Sequence, residues 1–124
     1  MDDLSKTAAV ENSVRADFLI SKKLIKVTEI LKDLHFDFPL NGIAILMEVS
    51  CEDGVSSSDI SHRLGLPKAT TSRNLRMLSD RLSHEKEGLR LIELRHDEKD
   101  YRVRRAYMTL KGYKVVQRIN EAMA

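Results

Sequence analysis

The sequence is poor in the residues that build disulfides, metal sites and catalytic centres. It has a single cysteine, Cys51, so no internal disulfide can form, and its four histidines are scattered without the spacing of metal ligands. It contains no glycine-rich phosphate loop and no Ser, His and Asp set in a catalytic motif context. We therefore expect no enzyme activity, no catalytic residue, no metal and no cofactor.

Long hydrophobic runs are also absent. No stretch approaches the ~18 apolar residues that a membrane span needs, and the acidic N-terminus lacks the apolar core of a signal peptide. We expect a cytoplasmic protein with no membrane partner. With 124 residues and 42% hydrophobic content, the chain is sufficient for one ordinary core. Cys51 is expected to be small and partly buried; redox sensing is the less favoured alternative, because acidic residues follow it.

The stretch from Pro67 to Leu82 is predicted to be an amphipathic helix. Its inward positions are spaced by four, three and four residues: Thr71, Leu75, Leu78 and Leu82. Its outward positions combine cations with short side chains: Lys68, Ala69, Ser72, Arg73 and Arg76. Such a face suits a DNA groove, where Arg and Lys reach phosphates or guanine edges and small side chains approach bases closely. A solvated basic helix is the alternative.

Charge is distributed unevenly along the chain. Residues 1–57 contain 6 Lys/Arg against 10 Asp/Glu, whereas residues 58–124 contain 15 against 9. The basic half includes the helix predicted at 67–82. This asymmetry favours a nucleic-acid partner, because positive charge on one side of a protein is attracted to phosphates.

The N-terminal part is predicted to be a flexible segment, residues 1–12, followed by one helix over residues 13–36. The helix carries a heptad-like series of apolar residues: Ile20, Leu24, Val27, Leu31 and Leu34. Two interpretations of this series stay open. The helix packs either on its own domain or against a second subunit.

Residues 37–124 are predicted to form a winged helix-turn-helix domain. A helix at 40–50, with Asn41 as a possible cap and Ile43, Leu46, Met47 and Ser50 inward, precedes a capping box at Ser56–Asp59 and a short helix ending at Gly65. The helix at 67–82 follows. Short alternating runs at 89–94 and 102–108 predict a two-stranded β wing, and a last helix from Thr109 carries Val115, Val116, Ile119, Ala122 and Met123 inward. The expected class is mainly α (α+β).

Two local patterns then resemble the MarR family of winged-helix regulators. One is ISHRLGL at residues 60–66 leading into KATTSR at 68–73, which looks like the helix-turn-helix core of the family. The other is DEKDYR at 97–102 followed by MTLKG at 108–112, which is similar to the wing's Asp-x-Arg motif and the start of the next helix. The resemblance extends from about Leu40 to the end of the sequence, which is roughly two thirds of the chain.

The resemblance implies a homodimer that binds double-stranded DNA at a pseudo-palindromic operator and acts as a repressor. The implied DNA-binding residues are Ser57, Lys68, Ala69, Thr70, Ser72, Arg73, Arg76, Arg95, Lys99, Asp100, Arg102 and Arg104. The implied dimer residues are Ile20, Leu24, Val27, Leu31, Leu34, Val116 and Ile119. The short C-terminus departs from the family, and it shifts more of the expected interface onto the N-terminal helix and leaves little room for an effector pocket.

Two alternatives remain at this point. A winged helix can serve as a protein-binding module whose basic face meets an acidic partner, and a MarR-type regulator can sense a small-molecule effector. Salt dependence separates the first alternative from DNA binding, because phosphate contacts weaken steeply with salt. The sequence offers no direct support for an effector.

Overall fold

The N-terminal part of the chain consists of two helices that meet at Asp17. The computed structural model describes residues 2–80 and 86–124, and the side chains of these except residues 2–4 and 16. Helix α1 spans Asp2–Ala16 and helix α2 spans Phe18–Leu34. Residues 2–12, where the sequence predicts a flexible segment, are helical in α1, because α1 lacks Gly and Pro and contains good helix formers. The single helix predicted over 13–36 is also interrupted at Asp17.

Helix α3, Leu40–Cys51, lies at the centre of the domain and contacts α5 and the sheet. Its fully buried side chains are Ile45, Leu46 and Val49, whereas the predicted inward residues Ile43, Met47 and Ser50 are half-buried. The predicted face is therefore rotated, because α3 is covered on more than one side. Pro39 occupies the N-cap position instead of Asn41, and its φ of −64° suits the start of a helix.

Helix α4, Ser57–Leu64, begins with the predicted serine cap. The Ser56 hydroxyl accepts a hydrogen bond of 3.1 Å from the backbone N–H of Asp59, which satisfies one of the free donors at the helix start. The helix ends at Gly65, which has a left-handed φ of 63°. Glycine adopts this conformation without steric cost, so the chain turns tightly toward the next helix.

Helix α5, Lys68–Leu78, is shorter than predicted. Its inward positions Thr71, Leu75 and Leu78 are buried, as the spacing predicted. Residues 89–91 run back past the end of α5 and hydrogen-bond its final carbonyl groups. The N–H groups of residues 89, 90 and 91 donate to the carbonyl oxygens of residues 77, 79 and 78, respectively. The carbonyls are thus satisfied without a further helical turn. Leu82 lies outside the described residues.

The sheet has three antiparallel strands in the order β1-β3-β2, where two were predicted. Strand β1 is Val55–Ser56, β2 is Ile92–His96 and β3 is Arg104–Met108. Val55 pairs with Ala106, and Leu94 pairs with Ala106 from the other side. A two-residue strand such as β1 carries no alternation from which a sequence could predict it. The wing loop, residues 97–103, connects β2 to β3.

Helix α6, Leu110–Met123, closes the domain by packing on α2. Thr109 caps it, since its hydroxyl accepts a 3.0 Å hydrogen bond from the Gly112 N–H. Val115 and Ile119 are buried, whereas Met123, predicted to be inward, is exposed. None of the helices in the described ranges has the length and apolar character required to cross a membrane.

Candidate nucleic-acid interface

A buried hydrogen bond fixes the two helices of the helix-turn-helix unit against each other. The Ser61 hydroxyl of α4 donates to Oγ1 of Thr71 on α5 at 2.7 Å, and both side chains are buried. Each hydroxyl thereby supplies the polar partner that the other needs away from water. This contact, together with the buried apolar side chains of α5, positions the outer side of that helix.

The outer face of α5 is basic and available. It is defined by Lys68, Ala69, Ser72, Arg73 and Arg76, which are exposed or half-buried. In the part of the chain that the structure describes, the three cations of this face have no ion pair or side-chain hydrogen bond. Thr70, also predicted to contact DNA, is half-buried, and its carbonyl accepts from the Asn74 amide. The face therefore presents uncompensated positive charge.

A cleft joins the outer face of α5 to the wing. Residues from three elements line it: Ser57, Ser58 and Ser61 of α4, Lys68, Ser72 and Leu75 of α5, and Leu94 and Arg104 of the sheet. A second cleft continues from it past the end of α5, lined by Arg76, Ser79, Asp80, Leu94, Arg95, His96 and Arg104. The fold thus brings Ser57, Lys68, Ser72, Arg76, Arg95 and Arg104, separate in the sequence, onto one surface.

The wing loop presents Arg102 in a fixed orientation. Its Nε lies 3.2 Å and its Nη2 3.4 Å from the two carboxylate oxygens of Asp100, and its backbone N–H donates to the same carboxylate at 3.1 Å. The Arg102 side chain is nevertheless 91% exposed. The guanidinium is oriented by the carboxylate and still faces solvent. Lys99 is exposed beside it.

A second ion pair holds the base of the wing loop, and sequence analysis missed it. Arg105 Nε donates to Asp97 at 2.7 Å, and Arg105 Nη1 donates to the Gly54 carbonyl at 3.0 Å. The other Asp97 oxygen accepts from the backbone N–H groups of Lys99 and Asp100. The hydrogen bond from Arg105, followed by those two N–H groups, lowers the pKa of Asp97, and Asp97 in turn raises the pKa of Arg105. The 51-residue separation of Gly54 and Arg105 hides this link from sequence spacing.

Arg95 lines the second cleft, but its charge is already paired. It pairs with Glu93 at 3.0 Å, which raises the pKa of Arg95 and lowers that of Glu93, and its guanidinium lies 4.5 Å from the centre of the Tyr107 ring. Arg95 is therefore already engaged by a carboxylate and an aromatic ring. Arg104, on the neighbouring strand, has no ion pair with any described residue.

The residues predicted for the dimer interface separate into two groups. Val27, Leu31 and Ile119 are buried in the core of a single chain, which leaves little of these side chains exposed for a second subunit. Leu34 and Val116 are half-buried against the same core. Ile20 and Leu24 are each 57% exposed. They share the helical face of Val27 and Leu31, which extends beyond the point where α6 covers it.

The cysteine and the described histidines do not form a further site in the part of the chain that the structure describes. Cys51 is exposed, contrary to the prediction that it is partly buried, because it is the final residue of α3 and points away from the core. His35, His62 and His96 are exposed, and His84 lies outside the described residues. Within residues 2–80 and 86–124, no cluster of His, Cys, Asp and Glu has the composition of a metal site.

Comparison with protein families supports the helix-turn-helix assignment. The model of the IclR helix-turn-helix domain matches residues 42–81, a segment that contains α4 and α5. No curated protein matches the sequence. The class defined by this geometry is the winged helix-turn-helix.

Solved structures with the same fold include MarR transcriptional regulators. A MarR transcriptional regulator from Methanosarcina mazei Go1 is 24% identical, with a TM-score of 0.64 over 90% of this chain and 74% of that chain. The YusO protein from Bacillus subtilis is 17% identical, with a TM-score of 0.68 over 96% and 76%. A single-residue mutant of MepR from S. aureus, bound to an oligodeoxyribonucleotide, is 22% identical, with a TM-score of 0.67 over 89% and 74%. The chain thus has the MarR-type winged-helix fold, as its local patterns suggested.

Proposed function

We propose that the protein is a sequence-specific, double-stranded DNA-binding transcription regulator that acts as a homodimeric repressor on a pseudo-palindromic operator. The observation that carries the proposal is the uncompensated positive outer face of α5, flanked by the cleft and by the wing. A similar structure, the MepR mutant, is bound to an oligodeoxyribonucleotide. Repression follows as the simplest outcome when a compact regulator occupies promoter DNA.

The outer face of α5 is suited to the major groove. A groove about 12 Å wide admits a helix, and Arg73 and Arg76 have the fork geometry that matches guanine O6 and N7. Ala69 and Ser72 are short, so the helix backbone can approach the bases. Ser57 at the start of α4 and Lys68 at the start of α5 are suited to phosphates on the groove edge.

The wing is suited to the adjacent minor groove. Arg102 is exposed and oriented by Asp100, so little conformational freedom is lost when it enters a narrow groove with a strong negative potential. Arg104 and Lys99 supply further positive charge for the flanking phosphates. Arg95 contributes less under this proposal, because Glu93 neutralises it.

A dimer would complete the site. One winged helix reads a single half-site, and two half-sites one helical turn apart give the specificity that a genome demands. Ile20 and Leu24 offer an exposed apolar surface on α2, and Val10 and Val14 of α1 are further exposed apolar residues. Covering this surface with a second copy removes apolar area from water.

Selection from a random duplex library, followed by titration of the selected site and a scrambled duplex, tests the proposal. We expect preference for the selected site and a log-linear loss of affinity between about 50 and 200 mM salt, with a slope of about 0.9 per phosphate contact. No enrichment of any sequence, together with binding that is insensitive to salt, would overturn the proposal and favour the protein-binding module.

An effector-sensing role is supported by one separate observation. A cleft between α2 and α3 is lined by Thr28, Leu31, Lys32, Phe36, Asp37, Phe38 and Ile43. Its aromatic walls suit a small aromatic ligand, and Lys32 offers one cation for a carboxylate, which Asp37 in the same lining opposes. Thermal unfolding with and without millimolar benzoate tests it: a rise in Tm that Lys32→Met abolishes supports an effector site, and an unchanged Tm argues against one for this class of ligand.

A further inference from the structure

His96 lies where the wing meets the end of α5, and its ring is held in place. The ring stacks on Tyr101 with centroids 3.9 Å apart and an interplanar angle of 12°. Its Nδ1 is 2.8 Å from the Tyr101 carbonyl oxygen. A carbonyl oxygen only accepts, so Nδ1 must carry a hydrogen in the neutral ring. The remaining nitrogen, Nε2, is then the atom that gains a proton.

The surroundings of His96 are predominantly basic. Its cross-strand partner on β3 is Arg104, and it lines the second cleft together with Arg76. On its other side it lines a recess with Asp97 and Arg105, which pair with each other. Among the residues that the structure describes, the charged groups that line these two surfaces with His96 are Arg76 and Asp80 at the end of α5, Arg95 on β2, Asp97, Glu98 and Lys99 in the wing loop, and Arg104 and Arg105 on β3.

We propose that His96 is a phosphate-contacting residue, which binds DNA through Nε2 in the doubly protonated form and makes operator affinity increase as pH falls from about 8 to 6. This inference rests on the proposed function and assigns a role to a residue outside the predicted DNA-binding set. The stack and the Nδ1 hydrogen bond orient the ring, so protonation adds a positive charge without changing the shape of the wing. Imidazole is the side chain that titrates in this pH range.

The proton linkage follows from charge. A phosphate stabilises the protonated ring over the neutral ring. DNA binding is therefore accompanied by proton uptake at His96. The Asp97 and Arg105 pair does not contribute to this pH dependence, because the lowered pKa of Asp97 places its titration well below the range in which imidazole titrates.

Titrations of a selected operator duplex at constant salt between about pH 8 and pH 6 test the inference. For the parent protein we expect affinity to rise by roughly fivefold per subunit, a value at the upper end for an exposed ion pair. His96→Gln should remove most of that rise. His35→Gln is the matched control. His35 is also exposed, and its Nδ1 accepts a hydrogen bond from the Asp37 N–H, but it lies on the connection between α2 and α3.

His96→Asn separates contact from positioning. Its side-chain amide can still donate near the position of Nδ1 but has no atom at Nε2. If His96 only supports the wing, His96→Asn keeps the parent's pH dependence, and the inference is wrong. Equal pH dependence in the parent and in His96→Gln also overturns it. Failure of every variant to prefer the selected duplex at any pH would instead overturn the proposed function, so the two failures are distinct.

Discussion

At the scale of single residues, the wing loop shows how a carboxylate and a guanidinium can be arranged for recognition. Asp100 contacts Arg102 through both oxygens, yet the guanidinium faces solvent. The pair is too exposed to contribute much to folding. Its value lies in orientation, because a side chain held near its bound geometry loses less entropy when it meets a partner.

Replacing Arg102 with alanine should weaken operator binding most on A·T-rich flanks, where the minor groove is narrow and its potential strongest. Asp100→Ala should give a milder defect of the same kind, since it removes the positioning but keeps the cation. Arg102→Lys should rescue only in part, because an ammonium lacks the planar fork. Titrations on one core site with A·T-rich or G·C-rich flanks measure this. Unchanged binding by Arg102→Ala on both would remove the wing from the interface.

The Asp97 and Arg105 pair should give the wing loop an acid-sensitive structure. Because the pair lowers the pKa of Asp97, its contribution is fully present above the ordinary aspartate value of about 3.9 and is lost as pH falls through the lower folded value. In an NMR titration, the amide signals of Lys99 and Asp100 should shift with a midpoint below that ordinary value. Asp97→Asn should abolish that titration. A midpoint at or above the ordinary value in the parent would contradict the pairing.

At the scale of elements, the α4 and α5 unit depends on one buried contact between hydroxyls. Ser61→Ala leaves Thr71 without its donor, so the free energy of unfolding should fall by about 1 to 3 kcal/mol. The Ser61→Ala and Thr71→Val double variant should lose less than the sum of the two single variants, because neither polar group is then left unpaired. Urea unfolding of the four proteins measures the coupling. Strict additivity would show that the hydrogen bond contributes nothing.

The cations of α5 and α4 should differ in their contribution to DNA binding. Arg73→Ala should cost about 1 to 3 kcal/mol on a selected site and less on scrambled DNA, if the side chain reads a base. Arg63→Ala is a suitable comparison, since Arg63 on α4 is exposed but engaged by Glu48 and Glu52. It should change affinity little. Equal losses for Arg73→Ala on both duplexes would assign Arg73 to a phosphate.

Local pattern was most informative where an element has one buried face. The spacing of Thr71, Leu75 and Leu78 predicted the inward side of α5, and Ser56 was predicted as a cap from the residues that follow it. The end of α5 could not be predicted, because residues 89–91 terminate it from elsewhere in the chain. Strand β1 and the contact between Arg105 and Gly54 were missed for the same reason. Val55 of β1 pairs with Ala106, and Arg105 donates to the carbonyl of Gly54; in both cases the partner is far away in the sequence.

At the scale of the whole molecule, α2 extends its apolar face beyond the core of one chain. Val27 and Leu31 are buried where α2 packs into the core, of which α6 is a part, whereas Ile20 and Leu24 on the same face are exposed. In the sequence, the apolar residues of α2 form one continuous series. The series alone does not show which of these residues pack against the core of the same chain and which remain exposed. That boundary is visible only once the position of α6 is known.

A double substitution, Ile20→Glu with Leu24→Glu, should convert a dimer into monomers that remain folded. Leu31→Glu should instead unfold the domain, because Leu31 is only 2% exposed in the single chain. Sedimentation at micromolar concentration, with circular dichroism as the check on folding, distinguishes the two outcomes. Lys22→Glu, on the opposite side of α2, is the control and should leave the dimer intact. A parent protein that sediments as a 14.2 kDa monomer, with and without DNA, would refute the proposed dimer.

The strand order of the sheet also has a consequence for unwanted association. The central strand is β3, so the two edges belong to β1, which has only two residues, and to β2, which carries the charged pair of Glu93 and Arg95. Very short edge strands and charged edge residues both discourage intermolecular strand addition and the aggregation that follows from it. The sheet edges are therefore poorly suited to pair with the strands of another copy, and the sheet is left free to carry the wing.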